Sequence, residues 1–211
     1  MFPNARKGVK KLFIAEILTI FSAILGLVAT VLTAIPHVAE SGPGQIVLIV
    51  FALTALFFII IAFALHIFGL FQGSRDSGHF WVAFWAAIFS IIFTIVASIL
   101  KGAIPSIAWL HSIFSTLAQV LNAFVIIYVI SGISSMALRL GKVGFAKRGT
   151  IMVWIILGLY LVAAVLNFLS GFFTAEAFVV FFGVITVASN VLTIIIYIAY
   201  LFYLLRATRI L

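Results

Sequence analysis

Apolar residues fill this chain in long runs, and short polar clusters mark where each run stops. Leu12 to Ile35 is the first run, and Pro36 ends it, because proline cannot continue a helix without losing a hydrogen bond. A helix needs about 20 residues to cross the hydrocarbon of a bilayer. The pattern predicts six such helices, over about residues 10–35, 45–71, 79–100, 108–137, 150–169 and 177–205. The segment Ile107 to Ser112 is either an interfacial piece or the start of the fourth helix. The fold class is therefore all-α, a polytopic membrane bundle in one domain, with no room left for a soluble one.

Composition agrees with the pattern. The 211 residues are 66% hydrophobic and 8% charged. Soluble domains carry ~25% charge, so too few polar groups exist here to cover a water-facing surface. The apolar run after Arg6, Lys7, Lys10 and Lys11 exceeds the ~7–15 residues of a signal peptide's core, so it is expected to stay as a first helix.

Charge sets the direction of threading. The stretch Leu138 to Gly149 holds Arg139, Lys142, Lys147 and Arg148 between two apolar runs, as a cytoplasmic loop does. With both termini inside, eleven Lys and Arg residues lie on the cytoplasmic side, against Lys101 alone outside. The expected location is a bacterial cytoplasmic membrane. The net charge of +8 sits at helix ends, where it meets anionic lipid headgroups rather than nucleic acid.

A weaker pattern suggests three parallel helical hairpins of about 70 residues. Lys7-Gly8, Ser77-Gly78 and Arg148-Gly149 precede the odd helices at spacings of 70 and 71, and Val120-Leu121 and Val191-Leu192 stand 71 apart.

Candidate chemistry comes from polar residues inside the apolar runs, since these are costly in hydrocarbon and face the bundle interior. Ser90, Thr94 and Ser98 recur every four residues. Ser115, Gln119 and Asn122, and later Thr186, Asn190 and Thr193, fall at helical spacing, and Asn167 adds a fourth helix. One reading is an outward-facing, uncharged solute cavity lined by Gln119, Asn122, Asn167, Asn190, Thr193, Ser90 and Thr94. The other is hydrogen bonding that holds the helices together.

Glu16 is the one acid well inside an apolar run, and His66 lies in the second helix. Both are candidate coupling residues. For Glu16 the preferred reading is a carboxylate that snorkels or pairs with Arg139 or Arg206. On helix 1, Ala15, Thr19, Ser22, Gly26, Thr30 and Thr33 form a stripe of small residues suited to close packing.

No Cys, no His-x-x-x-His and no Gly-x-x-x-x-Gly-Lys-Ser/Thr motif occurs. The expectation is a chain with no catalytic residues, no metal and no cofactor, and with no ATP-driven step of its own. Its partners are lipids, a second membrane protein or further copies of itself. Two functions remain open: solute binding or transport, and an accessory role beside another membrane protein. In size and span count the chain is similar to the substrate-binding membrane subunits of energy-coupling-factor vitamin importers, with no motif in common.

Overall fold

The computed structural model describes residues 2–33, 42–103, 108–170 and 194–211. Among them all regular structure is helical: α1 Pro3–Thr33, α2 Gly42–Ser74, α3 Gly78–Ala103, α4 Ala108–Arg139 and α5 Val143–Ser170, then α6 over 194–210. The first five are long and apolar enough to cross a membrane, so the chain is a multi-pass membrane protein. The expected start of the sixth helix, 177–193, lies outside the described residues. The segment left open between interface and helix is helical from Ala108.

Two helices begin earlier than the apolar pattern places them. α1 starts at Pro3, not near Lys10. Proline at a first turn loses no bond, because that N–H has no intrahelical partner. The next donor is capped from afar: Asp76 Oδ2 accepts the Ala5 N–H at 2.7 Å, and its Oδ1 accepts from Asn4 Nδ2 at 3.0 Å.

α5 starts at Val143, so Lys147 and Arg148 are helical and the expected basic loop shrinks to a tight turn. Gly141 makes that turn, with φ +73°. The Gly141 N–H donates to the Leu138 carbonyl at 2.9 Å and the Lys142 N–H to that of Ala137 at 2.9 Å. This is the bonding of a Schellman cap, where the left-handed residue costs glycine nothing.

The six helices form a closed ring. α1 packs along α2, α3 along α4 and α4 along α5, while α2 touches α3. α6 closes on α5 through stacked Phe145 and Tyr203, 4.5 Å apart. It closes on α1 where Arg6 Nε donates to the Thr208 carbonyl at 3.0 Å. Burial is concentrated at the end of the ring that carries the basic residues, in Val9, Leu12, Leu70, Phe80, Ile133 and Leu204. Toward the other end, Leu27, Val31, Ile46 and Ile99 are exposed, apolar side chains facing where lipid would lie. Trp81, Trp85 and Trp154 stand outward near the basic end.

Glycine permits the closest approaches. A Cβ on Gly8 would sit 2.5 Å from the Gly69 carbonyl oxygen and 2.9 Å from the Gly73 nitrogen. Gly132 packs on His79 and Phe80, and Gly149 on Ser134 and Tyr203. The contacts of Gly132 and Gly149 join their hairpins at nearly equal chain separations, while that of Gly8 spans a longer one. Gly8 and Gly149 lie inside α1 and α5, whereas Gly78 opens α3, so the 70-residue spacing does not mark helix starts. Of the small-residue stripe on α1, Ser22 donates to the Ala55 carbonyl at 2.8 Å, whereas Gly26 has no described neighbour within 4 Å.

Candidate functional site: a cavity lined by all six helices

All six helices line an open cavity of about 490 Å³. Helical spacing explains how each helix supplies its share. On α1, Leu12, Glu16 and Thr19 follow at intervals of one turn, so the buried Leu12 draws Glu16 inward on the same face. On α2, Ile59, Phe63 and His66 repeat in the same way, and on α4 so do Asn122, Val125 and Ile126. α3 adds Ala87 and Ile91, α5 adds Tyr160, and α6 adds Tyr197.

Glu16 is the centre of the polar part. It is 8% exposed. The Tyr197 hydroxyl donates to its Oε2. His66 Nδ1 lies 3.6 Å from its Oε1, within ion-pair range but longer than a hydrogen bond. A buried carboxylate needs such partners, because an unpaired charge in an apolar medium is strongly unfavourable. The expected pairing with Arg139 or Arg206 is not what the structure has. α6 returns beside α1 with Tyr197, not Arg206, at the depth of Glu16, and the ring closes on the basic side of that contact through Arg6 and Thr208.

Asn122 reaches the cavity from α4, and its Oδ1 accepts from the Ser90 hydroxyl at 2.9 Å, with the Ala118 carbonyl 3.1 Å from the same hydroxyl. α3 and α4 are therefore tied together beside the cavity. Thr94 donates to the Ser90 carbonyl of its own helix at 2.8 Å, as Ser98 does to that of Thr94. Gln119 lies half-buried one turn from Asn122. Asn167 lies in α5, with its side chain outside what is described, and Asn190 and Thr193 lie outside the described residues altogether. The cavity that the described residues form thus unites Asn122, Glu16 and His66, and it contains a carboxylate where an uncharged lining was expected.

Tyr160 and Tyr197 were not legible as site residues. Their one signal is a phenol hydroxyl in the middle of an apolar helix, where a partner is needed. Nothing in the spacing tells that the partner of Tyr197 is 181 positions away.

Glu16 is the one acidic residue among the lining residues, and no Lys or Arg joins it. The wall is otherwise mostly apolar, with Thr19, His66, Asn122, Tyr160 and Tyr197 as its other polar residues. Chemically it is suited to hold a hydrogen-bond donor or a cation. No family model, curated protein or solved structure matches the chain.

Proposed function

We propose that this protein binds a small solute in the six-helix cavity and moves it across the membrane, with Glu16 as the group that holds it and His66 and Tyr197 as the groups that set the position of Glu16. The observation behind this reading is the buried carboxylate itself. An ionisable side chain kept inside a membrane span marks a substrate or ion path by default, and this one opens on a cavity of solute size. The balance of basic residues supports an orientation with both termini on the cytoplasmic side.

An accessory role has one observation in its favour. Among the described residues nothing comes within 4 Å of a Cβ on Gly26, and Thr30 is exposed nearby, which offers a second membrane protein a small-residue surface.

Cysteine accessibility separates the two. Asn122→Cys is introduced into the cysteine-free chain and exposed to 2-(trimethylammonium)ethyl methanethiosulfonate, which reacts only from water. Ile24, whose side chain is 52% exposed on the apolar surface, serves as the lipid-facing control. Solute binding predicts modification of Asn122→Cys well above that of Ile24→Cys. Equal, negligible rates mean a closed cavity and favour the accessory role.

A further inference from the structure

A second space adjoins the cavity. Val120, Ala123 and Phe124 of α4 and Leu157, Leu161 and Val165 of α5 line a groove of about 250 Å³ between these two helices. Its lining is apolar apart from one residue, Tyr160, and Tyr160 also lines the central cavity. The groove lies at the outer surface of the bundle, since Phe124, Leu161 and Val165 are all exposed. Tyr160 thus stands between an apolar cleft on the lipid-facing surface and the space that holds Glu16.

We propose that the ligand of the central cavity is a single-chain amphiphile with a cationic amine head, which enters sideways between α4 and α5. This rests on the solute-binding reading above and names its substrate class. The head is assigned by chemistry: Glu16 is the sole acidic lining group, no Lys or Arg competes for it, and an amine can donate to its carboxyl oxygens. The chain is assigned by adjacency: the apolar groove and the central cavity share Tyr160, so a molecule with its head at Glu16 places its tail in the groove once that side chain turns aside. A fully polar cation has no reason to use that route, and a fatty anion meets Glu16 as a like charge.

The experiment uses the same cysteine at position 122 in phosphatidylcholine nanodiscs, with Ser74→Cys at the basic end as the rate standard. The probe is dodecylamine. It is expected to slow modification of Asn122→Cys by about tenfold, while butylamine and dodecanol at equal concentration change it by less than about twofold. Protection by dodecylamine is expected to vanish on adding Glu16→Gln. It is also expected to vanish on adding Leu157→Trp or Val165→Trp, which fill the groove from positions 37% and 48% exposed, where extra bulk does not enter the core.

Equal protection by dodecanol overturns the cationic head. Equal protection by butylamine, or full protection in both groove variants, overturns the amphiphile while leaving the solute cavity standing. A cysteine at 122 that never reacts, with or without amine, removes the cavity reading and this one together.

Discussion

The closest approach of one helix backbone to another among the described glycines gives a test in which two identical changes have opposite signs. Gly8 and Gly26 both lie on α1. In a helix, alanine is more stable than glycine by ~1 kcal/mol, because glycine loses more backbone freedom on ordering. At Gly26 that term acts alone, since a new Cβ meets nothing described within 4 Å. Gly26→Ala is expected to stabilise by up to ~1 kcal/mol. At Gly8 the new Cβ would stand 2.5 Å from the Gly69 oxygen and 2.9 Å from the Gly73 nitrogen. Both are backbone atoms, so no rotamer change relieves them, and the helices must part by about 1 Å to restore ordinary contact. Separation also loosens the buried layer of Val9, Leu12 and Leu70 beside it. Overpacking of this kind costs ~1–3 kcal/mol, which exceeds the propensity gain. Gly8→Ala is expected to be ~1–2 kcal/mol less stable than the parent. Reversible unfolding of the three proteins in one detergent measures both values. Equal stability of Gly8→Ala and Gly26→Ala would refute the close approach of α1 and α2.

Two further predictions concern the basic end. Asp76→Ala removes the cap on α1 and is expected to cost ~1–2 kcal/mol, with Asp76→Asn costing less because one acceptor remains; unfolding midpoints check this, and no loss in the alanine variant contradicts the cap. Single cysteines at Ser74 and Ser41, probed with an impermeant maleimide in intact cells, are expected to be protected and labelled respectively, and the reverse pattern turns the topology over.

The apolar runs made the membrane bundle legible, because no water-soluble arrangement can hide them. Helix ends were less legible where distant residues decide them. Asp76 caps α1 from the other side of a hairpin, and no local pattern announces that. The turn at Gly141 was legible in kind but not in size, since the basic residues after it resemble a loop and are in fact the first turns of α5. Glu16 and His66 stood out as costly groups in apolar runs, and Asn122 by its spacing. That they line one cavity depends on the order of helices around the ring, which periodicity within single helices does not carry. Tyr197 was illegible for the same reason: its significance comes only from the register of the last helix against the first.

That register has a consequence for biosynthesis. Glu16 enters the bilayer with the first helix, and its hydroxyl donor is 181 residues further along. At ~5–20 residues per second, Tyr197 leaves the ribosome on the order of ten to forty seconds later. The polar neighbour that reaches the bilayer before it is His66 of the second helix, 3.6 Å from the carboxylate in the folded chain. Docking of α6 against α1, where Tyr197 meets Glu16 and Arg6 meets the Thr208 carbonyl, becomes the step that closes the ring.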